Sequence, residues 1–354
     1  MSGRTLALTG VPRGGTTLAC RLLGLCDQTV ALFEPMEVGD LSPDDPQAAL
    51  DTIAAFCDQA RAQILQSGTA PSKQRGGRVP DNPFGDERLP DGRRRQQTTR
   101  GEIAVEPRPA PDFTLVIKHN AAFAALLPQL RERFQTRAIV RHPLSVLASW
   151  NSVDLPVSRG RIPAGERLDA ALAAQLQAEP ARLRRQLIVL EWFFARFATA
   201  LAPAEVLRYE DIVATQGQAL RASAGLSGRS DAQLTERNAS AHYDRAQIAG
   251  LAEALLRQPG SWQRWYPPDS VAPLAQRPRC SAGRHLVAEL PALGAQRPTA
   301  HEHAARDGSG GQHRAEHRAG QQDRIDVVRD QQRQRGSENR EDPVQRIGRV
   351  RSTD

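Results

Sequence analysis

Short apolar runs alternate with stretches of helical periodicity between residues 5 and 266. An uninterrupted apolar run bounded by turn residues predicts a buried strand, whereas apolar residues three and four positions apart predict a helix. The predicted strands are 5–9, 30–33, 113–118, 137–141 and 205–209. The predicted helices are 16–25, 47–66, 121–134, 143–151, one or two helices within 167–201 that break near Pro180, and a helix that begins at Glu210.

This alternation predicts an α/β fold, a three-layer sandwich in which helices cover both faces of a mainly parallel sheet. Sheets of this kind bind ligands at the carboxyl ends of their strands. Polar residues that directly follow a predicted strand are therefore the first candidates for a functional site.

Two regions depart from the alternating pattern. Residues 67–112 are rich in Gly, Pro and Arg and show little periodicity, which predicts a long loop. Residues 269–354 contain no Phe, Trp, Tyr or Lys, and Gln, Arg, His, Gly and Asp dominate them. Such a segment cannot bury enough apolar surface to order itself, so a disordered basic tail is predicted after one folded domain, 1–268.

Composition narrows the class of protein. The formal net charge of the 354-residue chain is +7, but much of the excess lies in the predicted tail, so no nucleic-acid partner is expected. The four cysteines form no CxxC pair or zinc pattern, which predicts a cytoplasmic protein with reduced thiols and no metal site. No apolar run is long enough for a membrane span. The only lysines, Lys73 and Lys118, stand out against 45 arginines.

The first motif is TGVPRGGTT at residues 9–17, between a predicted strand and a predicted helix. A glycine-rich turn before a helix N-terminus binds phosphate through backbone N–H groups and the helix dipole. Gly10 and Gly15 have the spacing of the nucleoside-triphosphate loop G-x-x-x-x-G-K-[ST], but Thr16 replaces its lysine and Arg13 is the cation. The motif therefore predicts an anion site that does not suit a magnesium-bound triphosphate.

A second motif, RHPLSVLAS, joins Arg141 at a strand end to Ser149, eight residues later. If a helix begins at Pro143, both side chains can reach one phosphate. A third stretch, VLRYEDI, places Tyr209 after the last predicted strand. Its acidic residues also fit an ordinary helix start.

These motifs resemble those of sulfotransferases that use 3′-phosphoadenosine-5′-phosphosulfate (PAPS), particularly bacterial and carbohydrate sulfotransferases. PRGGTT resembles their 5′-phosphosulfate loop, RHPLSVLAS their 3′-phosphate motif and LRYEDI their R-Y-E-D-L stretch. The segment RQPGSW loosely resembles their second phosphate-binding loop. The resemblance implies a sulfotransferase fold similar to P-loop nucleoside-triphosphate hydrolases, PAPS as donor and no metal. The donor-binding residues that it implies are Arg13, Gly14, Gly15, Thr16, Thr17, Arg141, Ser149, Tyr209 and Arg257.

The resemblance also implies catalytic residues. Arg13 and Lys118, which ends a predicted strand, are the candidates for stabilising charge on the transferred group. Glu34, in a Phe-Glu-Pro sequence similar to that of carbohydrate sulfotransferases, is the favoured base. His119 is the rival, because cytosolic sulfotransferases have a histidine two residues after a strand-end lysine. Here it follows the lysine directly, which turns its side chain to the other face of the strand.

Three alternatives remain open. A P-loop kinase or nucleotide hydrolase would need the missing lysine and paired magnesium ligands. A nucleic-acid-binding or partner-binding protein could use the tail and the Arg93–Arg95 run, but no aromatic residues interleave with these charges. An inactive protein with a sulfotransferase fold is the third. The acceptor, a small molecule or a glycan, stays unidentified, and residues 67–112 are predicted to form a lid over it.

Overall fold

The computed structural model describes residues 3–228 and 233–278. Its strands are β1 Thr5–Gly10, β2 Thr29–Phe33, β3 Thr69–Gln74, β4 Phe84–Arg88, β5 Arg94–Gln96, β6 Thr99–Ala104, β7 Thr114–Lys118, β8 Gln135–Val140 and β9 Val206–Arg208. Its helices are α1 Thr16–Leu23, α2 Pro46–Ser67, α3 Ala121–Ala125, α4 Leu127–Arg133, α5 Pro143–Asn151, α6 Pro163–Leu168, α7 Ala170–Ala178, α8 Arg182–Ala200, α9 Tyr209–Ala214, α10 Gln218–Ala224, α11 Arg245–Arg257 and α12 Val271–Gln276.

The central sheet has five parallel strands in the order β2-β7-β1-β8-β9. The chain leaves β1 towards β2 on one side and later returns to β8 on the other side of β1. The strand order therefore reverses at β1, and the crevice outside its carboxyl end is where sheets of this type bind ligands. The five predicted strands correspond to these five strands.

Helices cover both faces of the sheet, because the strands are apolar on both faces. Along β8, Ile139 belongs to one apolar cluster, together with residues of α1 and α2. Ala138 and Val140 belong to a second cluster, together with residues of α5, α8 and α11. This alternation is what a strand buried between two helical layers requires.

The segment 67–112, here called the insert, differs from the predicted loop. It forms two antiparallel strand pairs, β3 with β6 and β4 with β5. The hydroxyl of Ser72 in β3 accepts a hydrogen bond from the backbone N–H of Phe33 at 3.0 Å, which ties the insert to the end of β2. Ala70 and Ile103 enter the apolar core. The strands are short and rich in charged and polar residues, so their apolar periodicity is too weak to predict.

The folded region also extends beyond residue 268. Helix α12 follows directly, and Val271 is fully buried in the second apolar cluster. Residues 271–276 of the predicted tail thus form a helix that contacts the core through Val271, and residues 279–354 lie outside the described residues. Among the described helices, none combines the length and apolar character needed to cross a membrane.

Candidate anion-binding site

A cavity of about 480 Å³ opens at the carboxyl edge of the central sheet. Its wall is formed by the loop between β1 and α1, the ends of β2 and β7, the insert, helix α5 and residues 237–243. The predicted site residues that line it are Arg13, Gly15, Thr16, Thr17, Glu34, Lys118, Arg141, Ser149 and Tyr209. The other predicted site residues, Gly14, His119 and Arg257, are not among its lining residues.

The loop between β1 and α1 has a backbone conformation that depends on glycine. Gly10, Arg13 and Gly15 have φ angles of 149°, 67° and 91°. A Cβ atom on Gly10 would lie 2.3 Å from the carbonyl oxygen of Ile139, and one on Gly15 would lie 2.6 Å from the ring of Tyr209. Left-handed backbone is uncommon for a residue such as Arg13, and it is held here by the surrounding packing. The conformation of the loop is therefore fixed by its surroundings. The first N–H groups of α1, which follow the loop, have no acceptor within the helix.

Arg13 connects this loop to helix α5 and to the insert. Its Nε donates to the hydroxyl of Ser149 at 3.2 Å, and its Nη1 donates to Oδ1 of Asn82 at 3.3 Å. The guanidinium carbon lies 4.5 Å from the centre of the Phe84 ring. Burial, together with repulsion from two neighbouring arginines, lowers the pKa of Arg13 below its ordinary value. Within residues 3–228 and 233–278, Arg13 forms no ion pair.

Arg141 is buried beneath the loop rather than free in the cavity. Its guanidinium carbon lies 4.6 Å from the centre of the Tyr209 ring. It donates to neutral oxygens only: Asn238 Oδ1 (2.8 Å), the Tyr243 hydroxyl (3.1 Å) and the carbonyls of Arg13 (3.2 Å) and Arg237 (2.5 Å). The structure thus brings together Arg13, Arg141 and Ser149, but the direct contact to Ser149 is made by Arg13. Arg141 therefore contributes mainly its positive charge to the cavity, because most of its N–H donors are already used.

Glu34 lies between both lysines of the chain. Its Oε1 is 2.8 Å from Nζ of Lys118, and its Oε2 is 2.6 Å from Nζ of Lys73. The two ammonium groups lie 4.5 Å and 5.9 Å from the centre of the Phe33 ring. Burial raises the pKa of Glu34, but the charges of Lys118 and Lys73, together with the hydrogen bond from Lys118, outweigh it and hold that pKa well below its usual range. We call Glu34, Lys73 and Lys118 the carboxylate cluster.

His119 lies behind the wall of the cavity. Its Nε2 accepts a hydrogen bond from the backbone N–H of Met36 at 3.4 Å, and its ring centre is 5.3 Å from that of Phe123. Burial lowers its pKa to about 3, so the ring is neutral at pH 7. Asn120, one residue further on, does line the cavity.

Sequence reasoning missed several cavity residues because they lie in the insert and in residues 237–243. Lys73 was visible only as one of two lysines. Arg94 belonged to a charge run that is ordinarily a solvated face, yet it is buried while its neighbour Arg95 is exposed. None of the sequence motifs includes Arg237. Arg13, Arg94, Arg141 and Arg237, which we call the arginine cluster, all line the cavity.

The cavity lining has a clear excess of positive charge. Its carboxylates are Glu34, Asp81 and Asp86, and its cations are the arginine cluster, Lys73, Arg75 and Lys118. Seven cations against three carboxylates leave an excess of four positive charges, which fits a ligand with several negative charges. Within residues 3–228 and 233–278, no group of three or more His, Cys, Asp or Glu side chains is close enough to hold a metal ion.

Arg257, which was predicted to bind the donor, lies outside the lining of the cavity. Arg257 ends helix α11, its side chain is 70% exposed, and it pairs with Glu253 one turn earlier at 2.5 Å. The loose similarity of residues 257–262 to a phosphate-binding loop therefore reflects a helix end and a turn, away from the cavity.

The fold and this cavity define an α/β protein with a cationic cavity at the carboxyl edge of a parallel sheet, lined in part by a strand–loop–helix turn. No family model matches the chain, and none of the curated proteins matches it. Among solved structures, the chain is similar to a sulfotransferase domain from the curacin biosynthetic pathway, with 18% sequence identity and a TM-score of 0.30. The match covers 63% of this chain and 72% of that domain. A likeness of this degree does not bear on activity.

Proposed function

We propose that this protein is a sulfotransferase that moves a sulfuryl group from PAPS to an acceptor hydroxyl. The observation that carries the proposal is the cationic cavity at the carboxyl edge of the sheet. Its lining includes Arg141, Ser149, Lys118 and the loop between β1 and α1, in which Thr16 replaces the lysine of nucleoside-triphosphate loops. PAPS has a phosphosulfate and a separate 3′-phosphate, so it needs anion-binding groups in more than one place. The motifs at residues 9–17 and 141–149 line the same cavity and supply them.

The donor would bind with its phosphosulfate at the loop. The first N–H groups of α1, the hydroxyls of Thr16 and Thr17 and the guanidinium of Arg13 are suited to its oxygens. The 3′-phosphate would lie near Arg141 and Ser149, next to Tyr209. This assignment needs neither a magnesium ion nor the missing lysine.

Sulfuryl transfer is an in-line displacement at sulfur. The acceptor oxygen forms a bond to sulfur while the bond from sulfur to the 5′-phosphate oxygen breaks, and 3′-phosphoadenosine-5′-phosphate leaves with the electron pair. Lys118 is suited to stabilise negative charge on the sulfuryl oxygens and the leaving phosphate. Glu34 is suited to take the acceptor proton, because its carboxylate lines the cavity and its pKa keeps it ionised.

Donor binding would also change the basicity of Glu34. A carboxylate with two ammonium partners is a weak base. When the sulfuryl oxygens draw Lys118 towards themselves, Glu34 loses part of that stabilisation and its affinity for a proton rises. Glu34 would therefore become an effective base only in the donor complex.

The insert is the proposed acceptor lid. Lys73, Arg75, Gln96 and Gln97 line the cavity from this segment. Their amides and cations suit a polar acceptor such as a carbohydrate or a lipid-linked glycan.

Calorimetric titration of the full chain tests the proposal. We expect 3′-phosphoadenosine-5′-phosphate to bind, 5′-AMP to bind at least tenfold more weakly, and Arg141→Ala to abolish the difference. A preference for ATP with magnesium would overturn the proposal in favour of a P-loop kinase. Binding of 3′-phosphoadenosine-5′-phosphate without sulfuryl transfer to any acceptor would indicate an inactive protein with a sulfotransferase fold.

A further inference from the structure

Arg94 is a buried charge without a counter-charge. It begins β5 in the insert, lines the cavity and is only 4% exposed. Its Nη2 donates to the hydroxyl of Ser152 at 3.3 Å, but its Nε has no hydrogen-bond partner. None of the ion pairs among the described residues includes Arg94, and Asp86 acts on it only from beyond ion-pair distance.

Arg237 lines the same cavity but is only half-buried as a residue. Its Nε is buried without a hydrogen-bond partner, and it takes part in no ion pair among the described residues. Its backbone is fixed, because its carbonyl accepts hydrogen bonds from Arg141 and Tyr243. Asp81 acts on Arg237 only from beyond ion-pair distance.

An unpaired buried cation such as Arg94 destabilises a protein unless an anion binds it. Burial lowers the pKa of Arg94, and Arg237 adds to that effect, so the two guanidinium groups repel each other. An arrangement of this kind persists where a ligand supplies the missing negative charge. The unused Nε donors are suited to a phosphate oxygen.

Both arginines adjoin the residues assigned to the donor 3′-phosphate. The Phe84 ring lies under Arg13 and Arg94, with the guanidinium carbons 4.5 Å and 5.9 Å from its centre. Arg13 in turn donates to Ser149, and Arg94 donates to Ser152, which follows the end of the same helix α5. Arg237 is tied to Arg141 through its carbonyl.

We propose that Arg94 and Arg237 bind the 3′-phosphate of the donor together with Arg141 and Ser149. The insert then serves donor recognition as well as covering the acceptor, and Arg94 and Arg237 take the place predicted for Arg257. This inference rests on the proposed sulfotransferase function.

The test is calorimetric titration of the full chain with 3′-phosphoadenosine-5′-phosphate and with 5′-AMP, which lacks the 3′-phosphate. Arg94→Gln and Arg237→Gln are each expected to weaken binding of the first ligand about 10- to 100-fold and to leave 5′-AMP within about threefold. Arg95→Gln is the matched control, because it removes the same charge from the exposed neighbouring position and should change neither affinity. Arg94→Lys should restore part of the lost affinity.

Thermal unfolding without ligand separates this role from a structural one. Removing an unpaired buried charge should leave the Tm of Arg94→Gln equal to that of the wild type or higher, whereas a structural arginine would lower it. Unchanged selectivity for the 3′-phosphate in both variants would overturn the inference while leaving the proposed function intact.

A wild-type protein that binds both nucleotides equally would instead refute the donor assignment. Titration with inorganic phosphate alone then decides whether Arg94 and Arg237 form an anion-binding site. Binding that Arg94→Gln loses and Arg95→Gln keeps would support a centre for a phosphate group of the acceptor. Binding that neither variant changes would overturn it.

Discussion

The carboxylate cluster and the arginine cluster line one cavity. Both lysines of the first lie over the Phe33 ring, and two arginines of the second, Arg13 and Arg94, lie over the Phe84 ring. They differ in charge balance. In the carboxylate cluster, Glu34 is in direct contact with both lysines. In the arginine cluster, Arg141 donates to neutral oxygens only, and the Nε groups of Arg94 and Arg237 have no partner.

The two clusters are therefore expected to respond to a ligand in different ways. The carboxylate cluster is assembled before any ligand binds, and its charges can be redistributed when a new anion arrives. Among the described residues, no member of the arginine cluster forms an ion pair, so this cluster favours binding of an anion more than chemistry. The comparison predicts that changes in the first cluster affect turnover, whereas changes in the second affect affinity.

The largest expected effect is that of Glu34→Gln. If Glu34 takes the acceptor proton, this variant should lower kcat about 10²- to 10⁴-fold. The affinity for 3′-phosphoadenosine-5′-phosphate should stay within a few fold. Steady-state kinetics and titration on the same preparations would measure both.

His119→Gln is the matched control for Glu34→Gln. Its ring lies behind the wall and hydrogen-bonds to a backbone N–H, so turnover should change only a few fold. A large loss in His119→Gln together with near-normal turnover in Glu34→Gln would transfer the base to the histidine.

Acid should next test the burial of His119, beside Glu34, and of His142, beside Arg141. His119 has a folded-state pKa of about 3, below its unfolded value near 6.5, so the unfolded chain takes up a proton first as the pH falls. The free energy of unfolding should therefore fall by about 1.4 kcal/mol per pH unit for this group below pH 6.5. His142, with a pKa lowered by burial to about 4, should add a similar slope.

Urea unfolding at pH 6.5, 5.5 and 4.5 measures these slopes. His119→Gln should remove about half of the decline. The carboxyl of Glu34 adds a further loss only at lower pH, because its depressed folded pKa makes its contribution complete above the unfolded value near 4.3. A stability that stays constant from pH 6.5 to 4.5 would contradict the burial of both histidines.

The main elements of the sheet and the loop at residues 9–17 were predictable from the sequence, and the reason is local. Buried parallel strands such as β1 and β7 are continuous apolar runs, and a glycine-rich turn between a strand and a helix has a compact signature. Arg13, Glu34 and Lys118 are adjacent to these elements, so their place at the carboxyl edge follows from the strand direction.

The other half of the cavity could not be predicted, because it depends on contacts between distant segments. Lys73 reaches Glu34 only because β3 pairs with β6 beside the end of β2. Arg94 is buried only because β5 lies against the turn at Ser152. The break between α3 and α4 within the single predicted helix 121–134, by contrast, has a local signal, because Pro128 stands in the first turn of α4.

Lys73→Met should have a smaller effect than Glu34→Gln, and one specific to pH. Removing one of its two cationic partners raises the pKa of Glu34 towards its ordinary value, so the acid limb of kcat/KM should move about one unit to higher pH. Lys73→Arg should keep the wild-type limb. An unchanged limb in Lys73→Met would mean that Glu34 does not set the pH dependence of the reaction.

The smallest expected effect is that of Arg257→Gln, which is the counterpart of Arg94→Gln. Both arginines have been assigned to the donor phosphate, one by the sequence motif and the other by the structure. Arg257 is largely exposed and, in the part of the chain that the structure describes, pairs only with Glu253 in its own helix. Such a pair contributes about 0.3 to 0.5 kcal/mol to stability, so Tm should change little. Affinity for 3′-phosphoadenosine-5′-phosphate should stay within about twofold, since the charge is solvated and outside the cavity. A tenfold loss in Arg257→Gln but not in Arg94→Gln would reverse the assignment, because it would mean that the end of α11 reaches the donor and that the buried arginine of the insert does not.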